Sequence, residues 1–561
     1  MHRAQSAILI IDILEEILSH LRCLGGDDRE KRSALLSAAQ VCTTFREPAI
    51  KSLWWALPGI EPALKLLVLF SLLYVEAPQR TPVQYRSRPS YSIINGAEIA
   101  PEHWARFLQY TVHTRVIHGG PAIHYTNPAV YVYLSYKNHG LPIFPHLESL
   151  AWFSDKPDHL GLRLMASSKL RRLHITIGRS GVAISEAMQP GNPNPPEAPP
   201  SASDTLLQTA LPRLTGLREL HYRTFSYMAP PREMKTWTSL GQSRELRVLR
   251  LDDCCNITDP SYLRGLASLP HLAELQLAVA LDRPAPTDIR GFKALQKLCL
   301  SVVGMIDPGP CLLSSFASPH LHTLFLLYRR AFPSAVADSL NIAGRQFPHL
   351  RSLSVKVHSG VISAPAALPT FSSVFGQIME CLSMERVRID THRDLILCEG
   401  SDAELEVLAA KWPSLRRLSL LTTFAGPITH RTLCSVERHC PELRTLHLRD
   451  LSFCSLTDGD LETTQPGRHP LKTIGICRAS YVESPKCSAL LLHRLFPRLQ
   501  MPDRYSLWTC PSCTRCPDHG TCAQAIIEIL DSYQSSRSSI GRRNNGSRAI
   551  DVAPSAQSLA I

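Results

Sequence analysis

If this chain performs chemistry of its own, the first residues to ask about are 510–522, CPSCTRCPDHGTC. Cys510, Cys513, Cys516, His519 and Cys522 fall at every third position. Thiolates and imidazoles are the ligands zinc prefers, and four of these five would complete a tetrahedral site. Usual fingers and ribbons set two ligand pairs apart by a longer loop, whereas two residues separate Cys513 from Cys516. Two readings therefore stand: a compact structural zinc site, or an exposed cysteine-rich loop with no defined metal. Nothing else nominates itself. There is no phosphate-cradling glycine-rich loop ending in Lys-Ser or Lys-Thr, no G-x-G-x-x-G after a strand, no H-E-x-x-H and no G-x-S-x-G. Histidines such as His146, His271, His320 and His349 follow prolines and fill a polar slot of a repeat, so they are not expected to be general bases. Glu15 and Glu16 occupy neighbouring helix positions and diverge. The chain is expected not to be an enzyme, with no catalytic residue and no organic cofactor.

Bulk properties narrow the partners. The 561 residues would hold about three or four ordinary domains unless a repeat absorbs the length. Hydrophobic residues make up 44%, enough for a sizeable core. The formal charge of +12 would suit an acidic partner, but its sources are scattered, as at Arg171, Arg172, Arg416 and Arg417. Solvated faces of a repeat account for them, and nucleic-acid binding is not expected. Residues 1–10 lack the layout of a signal peptide. Many of the 17 cysteines sit in apolar strand patterns, such as Cys299 in KLCLSV, where a thiol acts as a small hydrophobe. A reducing cytoplasmic or nuclear setting is expected. The apolar run from Ala63 to Val75 carries Lys65 and is too short to cross a bilayer.

An internal repeat organises most of the chain. The unit is P-x-L-x-x-L-x-φ, with φ apolar. It starts at Pro145, Pro270, Pro319, Pro348, Pro413 and Pro441. Copies without the proline start at Leu170, Leu217, Leu246 and Leu295, and weaker ones at Met384 and Leu471. First leucines recur mostly every 23 residues (Leu147 to Leu170) to 34 residues (Leu350 to Met384). The last two apolar positions alternate as on a strand, and the first leads in from a turn. Each unit exposes an apolar flank until the next stacks on it, which predicts parallel strands on one side and helices or turns on the other. The proline suits the turn because it cannot continue a helix.

The front end reads differently. Ile10, Ile13, Leu14, Ile17, Leu18 and Leu21 recur at helical spacing. Gly25 to Asp28 break the chain, Ser33 can cap a second helix running to Ala39, and Pro48 suits the first turn of a third, closed by Trp54 and Trp55. The predicted organisation is a helical module over 1–60, a linker with capping helices over 61–139, a repeat solenoid over 140–500 with a proline-rich loop at 189–203, a cysteine-rich segment over 501–531 and a disordered tail over 532–561.

The ordered residues of the front end resemble the F-box motif: an ILEEILSHL helix, a VC-x-x-F segment at Val41, Cys42 and Phe45, then PA and LW at Pro48, Ala49, Leu53 and Trp54. The form is similar to that of mushroom-type (basidiomycete) fungi. Pro101–Gly119, with Trp104, Arg106, Phe107 and Tyr110, looks like the segment that precedes the first repeat in that family. Its stripe of Trp104, Phe107, Leu108 and Val112 predicts a capping helix. Ile428–Leu448 resembles the cysteine-containing leucine-rich repeat common in F-box proteins; Ser401–Leu420 is the same unit with Trp412 in the cysteine slot. Leu246–Asp259 has the strand, cysteine and ITD of that class.

The resemblance implies an α/β fold: a three-helix F-box-like module, then an irregular leucine-rich-repeat solenoid. It also implies a Skp-type adaptor held by Ile11, Ile13, Leu14, Ile17, Leu36, Val41, Cys42, Phe45 and Trp54, a cullin scaffold beyond it, and an unknown protein substrate on the repeats. The chain would then be the substrate-receptor subunit of an SCF-type ubiquitin ligase. Ile11-Asp12 stands where the family usually has Pro-Glu. Two alternatives remain: a repeat scaffold with a degenerate F-box and no ligase role, or a zinc- or nucleic-acid-binding protein using the C-terminal cysteines.

Overall fold

The computed structural model describes residues 2–23, 28–70, 72–76, 90–94, 98–119, 127–154, 159–177, 211–224, 240–251, 256–257, 260–279, 291–302, 312–360, 368–393, 395–453, 456–457, 459, 461, 467–480, 482, 484–499, 526–530 and 532. The loop at 189–203, the five candidate zinc ligands Cys510, Cys513, Cys516, His519 and Cys522, and the tail beyond Ser532 lie outside the described residues. The chain divides into two compact units, residues 1–308 with 315–318, and residues 309–314 with 319–561.

The first unit opens with three helices, α1 (His2–Cys23), α2 (Asp28–Val41) and α3 (Thr43–Trp55). Strand β1 (Ala56–Leu57) and helix α4 (Glu61–Leu69) follow. Strands β2 (Leu73–Glu76) and β3 (Ser90–Ile93) pair antiparallel. After them come α5 (Pro101–Thr111), β4 (Val116–Ile117) and α6 (Pro128–Lys137). The repeats begin with β5 (Ser149–Ser154), α7 (His159–Met165), β6 (Arg172–Ile177), β7 (Glu219–Thr224) and β8 (Val248–Leu251). They continue with β9 (Asn256–Ile257), β10 (Glu274–Val279) and β11 (Lys297–Val302). The unit's sheet runs β1-β4-β5-β6-β7-β8-β10-β11, with β9 beside β10, and its strands are parallel.

The second unit holds β12 (Thr323–Ala331), β13 (Ser352–Gly360), β14 (Arg386–Asp390), β15 (Ile396–Cys398), β16 (Arg417–Leu421), β17 (Thr423–Phe424), β18 (Thr445–Ser452) and β19 (Thr473–Ser480). Its main sheet runs β12-β13-β14-β16-β18-β19, again parallel, while β15 pairs with β17. Helices such as Pro333–Gln346, Asp402–Lys411, His430–His439 and Pro485–Leu495 alternate with the strands.

Each sequence copy of the repeat yields one ladder strand, and the leucines explain why. The three apolar positions stack in three rows along the strands. In the second unit the middle row is Leu324, Leu353, Val387, Leu418, Leu446 and Ile474, in direct register and all buried. Residues between them, such as Arg386, Arg388 and Arg417, point outward and are exposed. Full burial of one such leucine contributes roughly 1.5–3 kcal/mol, and it is realised only when a neighbouring strand covers the flank. Backbone bonds add register. Within each unit the carbonyl after a first leucine accepts two N–H groups from the next repeat, as Arg416 O does from Arg444 N (2.9 Å) and Thr445 N (3.3 Å).

The turn into each strand has its own slot, three residues before the first leucine. Cys440 fills it with its Sγ donating to Ala409 O at 3.5 Å, and Ser318 with its Oγ donating to Leu295 O at 2.6 Å. Burial pushes the Cys440 thiol up to about 12, so it stays a neutral packing group. Trp412 occupies the same slot, as the sequence predicts, and is fully buried. One further turn of this kind, with Leu499 N donating to Phe496 O at 3.1 Å, follows the twelfth copy and was not among the repeats read from sequence.

Several local expectations are corrected. Ser33 lies inside α2, which starts at Asp28. Pro48 lies inside α3, which starts at Thr43, because the extended backbone of Cys42 (φ −161°, ψ 171°) separates it from α2 well before the proline. Burial of Pro48, Ala49, Ser52 and Trp54 offsets the backbone bond the proline cannot donate. The ladder starts at β1, not near residue 140: His118 N donates to Leu57 O at 2.9 Å, and the helical module runs directly into the sheet. Cys299 is half-buried on the outward side of β11, not in the core. Among the described residues no helix is long and apolar enough to cross a membrane.

The leucine rows make a direct prediction. Leu446→Ala should cost about 2–5 kcal/mol in urea unfolding, because its neighbours cannot close the cavity. Arg417→Ala, one residue from the same row, should stay within about 0.5 kcal/mol.

Candidate functional site

The three front helices share a small core of Leu18, Leu35, Ala39 and Ala49, with Leu21, Ala38, Ile50 and Leu53 packed against it. Its composition decides which residues remain free. On α1, Leu14 and Leu18 are four apart and face inward. Ile13 and Ile17, also four apart, share another face and are each 56% exposed. Leu36 on α2 stands a quarter-turn from buried Leu35 and is 51% exposed, and Val41 at the end of α2 is 69% exposed.

The nine residues expected to bind an adaptor therefore divide. Ile11, Ile13, Ile17, Leu36, Val41 and Cys42 are exposed, Phe45 is half-buried, and Leu14 and Trp54 are buried. Trp54 stacks on Tyr110 of α5, ring centroids 5.2 Å apart, and so clamps the module to the following helix. Leu14 and Trp54 support the module from within and present no free surface.

Polar contacts hold the helices in place. Lys51 of α3 donates to Glu15 of α1 at 3.0 Å and lies 3.3 Å from Glu47. The hydrogen bond to Glu15 is the main reason the Lys51 ammonium is held above its ordinary range. Arg32 Nη1 donates to Ala56 O at 3.0 Å, tying α2 to the first strand. Beside these contacts an open pocket of about 240 Å³ is lined by Glu15, Ser19, Pro48, Lys51, Ser52, Trp55, His113 and Arg115. Burial, followed by Lys51 and Arg115, pushes His113 below the usual imidazole range and keeps its ring neutral. The pocket is part of the seam joining the module to the sheet.

The outward face of the strands is the second exposed element. In the first unit Glu274 accepts from Arg250 Nε at 3.0 Å and Lys297 Nζ at 2.7 Å across neighbouring strands. Burial pushes the Glu274 carboxyl up, but these two hydrogen bonds outweigh it and hold it below the usual range. The histidines expected in a polar slot are where the repeat places them: His271, His320 and His349 are exposed and His146 is half-buried.

No family model matches the chain, and no curated protein does. Solved structures similar to it include a leucine-rich-repeat protein of Leptospira interrogans (13% identity, 64% of this chain and 91% of that one, TM-score 0.31). Another is a complex of Rad7 and Elc1 in yeast (13% identity, 64% and 84%, TM-score 0.31), and a third is a TLR13–ssRNA13 complex (12% identity, 69% and 54%, TM-score 0.32). Likeness at this level carries no part of the functional argument, which rests on the geometry above.

Sequence reasoning missed one feature. LRRLHI and LRELHY each place a histidine after the second leucine, and the fold sets His174 and His221 side by side on β6 and β7. The shared repeat position was the available signal. The insert between the two copies separates them by 47 residues (221 − 174) and hides the adjacency.

The division into free and supporting residues can be measured. Ile17→Glu should leave the unfolding free energy within about 0.5 kcal/mol of wild type. Leu18→Ala should cost about 2–5 kcal/mol and Trp54→Ala about 3–5 kcal/mol in the same urea titration.

Proposed function

We propose that this chain is the substrate-receptor subunit of an SCF-type, cullin-RING ubiquitin ligase. In this reading α1 to α3 dock a Skp-type adaptor, which links to a cullin, and the outward strand face presents a protein substrate. Ubiquitin transfer belongs to other subunits, and this chain contributes by holding the substrate near them. The setting is the cytoplasm, the nucleus or both.

One observation supports this most: a module of three helices, with its inward faces already committed to a core, leaves Ile13, Ile17, Leu36 and Val41 more than half exposed. Each would gain roughly 1.5–3 kcal/mol on burial against a partner. These are positions where the family's motif meets its adaptor, and they lie on helices held to one another by the Lys51–Glu15 contact, to α5 by Trp54 and to β1 by Arg32.

A second reading, a repeat scaffold without a ligase role, draws on α1 itself. The helix runs unbroken through Ile11 and Asp12, where the family has the proline that starts its first helix. Co-expression with a Skp-type adaptor and a cullin separates the two. The ligase reading expects both to co-purify with the wild-type chain, and expects Ile13→Glu with Ile17→Glu to abolish capture without altering the circular dichroism of the repeats. A folded wild-type chain that ignores the adaptor at high concentration would leave the scaffold reading in place.

A further inference from the structure

We propose that His174, Glu219 and His221 form a site for one divalent transition-metal ion, with Zn²⁺ the best match, on the outward strand face of the first unit. Strands β6 and β7 are parallel neighbours, with His174 opposite His221 and Arg172 opposite Glu219. Glu219 and His221 are two apart on β7, so their side chains leave the same face. One ligand atom from each of the three residues lies within 4.8 Å of the others.

Three observations favour a ligand over simple packing. The His221 Nε2 atom is buried and has no hydrogen-bond partner. An orphaned buried acceptor or donor costs about 1–3 kcal/mol, which a metal–nitrogen bond would remove. Glu219 faces Arg172 in register, yet among the described residues it forms no ion pair. The rings of His174 and His221 stack 4.0 Å apart at 6°. Two protonated imidazoles would repel at that spacing, so the stack holds neutral rings. Burial lowers the pKa of both rings.

The donor set is two imidazoles and one carboxylate, which is zinc chemistry with a fourth position open. Tetrahedral ligands with bonds of about 2.0–2.1 Å stand roughly 3.4 Å apart, so no pair of the three atoms needs to close by more than about 1.4 Å. Rotation of the imidazoles about χ2, a broad torsion, supplies that movement and turns the stacked lone pairs towards a common point. Arg250 is the nearby cation that would oppose a metal, but its guanidinium is held by Glu274 at 2.9 Å. The open position would take water, or a donor from whatever binds the strand face.

The test uses the full chain with Cys510, Cys513, Cys516 and Cys522 changed to Ser, so that thiolates do not compete. After equilibration with Zn²⁺ and removal of free metal, about one ion per chain is expected. With Cu²⁺ instead, electron paramagnetic resonance should show nitrogen hyperfine coupling from two imidazoles. Adding His221→Ala or Glu219→Gln should weaken Zn²⁺ binding at least about tenfold. A four-serine chain that retains no zinc, or one whose zinc survives both His174→Ala and His221→Ala unchanged, would overturn the site. The copper spectrum of the four-serine chain carries the test if the histidine variants fail to fold. None of these outcomes depends on adaptor capture.

Discussion

Everything in this molecule depends on apolar flanks that no single repeat can cover. A strand such as β14 presents Val387 and Ile389 to the interior, and each is covered only because β13 and β16 place Val355, Leu353, Leu418 and Leu420 beside them in register. Stability is therefore a property of neighbours, and stacking explains why dissimilar sequences between the leucines are tolerated. The slot before each strand illustrates the same freedom. Cys440, Trp412, Ser318 and Phe347 differ in size and polarity, yet each satisfies the turn, by a hydrogen bond to the preceding repeat or by filling space.

The front helices belong to that logic and also depart from it. They feed directly into the ladder, since β1 pairs with β4 and Trp54 stacks on Tyr110. Their own core is small, and it consumes only one side of α1 and α2. The opposite side of α1 carries Ile13 and Ile17, which that core leaves exposed, and the proposed adaptor contact rests on this side.

Much of this was legible in the sequence because it was periodic. The leucines of PSLRRLSL and PELRTLHL specify strand, turn and buried face at once, and β16 and β18 lie where those copies end. The strands β1 and β4 carry no repeat motif and are too short to alternate, so the true start of the sheet could not be read from the pattern. Pro48 misled for a different reason. Helix-start preference is a local rule, and here the packing of Ala49, Ser52 and Trp54 overrides it. Of the expected adaptor residues, Ile13, Ile17 and Val41 were placed on a free face. Trp54 was not, because an aromatic at a helix end serves equally well as a clamp, and only its neighbour Tyr110 distinguishes the two. His174 and His221 stayed hidden because register, not sequence distance, brings them together.

The central claim is that the outward face of α1 and the junction at Val41 and Cys42 are built to be covered by another protein. Amide hydrogen exchange, followed residue by residue on the intact chain with and without a purified Skp-type adaptor, addresses it most directly. The account predicts slower exchange in α1 and across residues 36–45 when the adaptor is present, with the repeat strands unchanged. Unaltered exchange throughout the first sixty residues at saturating adaptor, or protection confined to the strands, would contradict it.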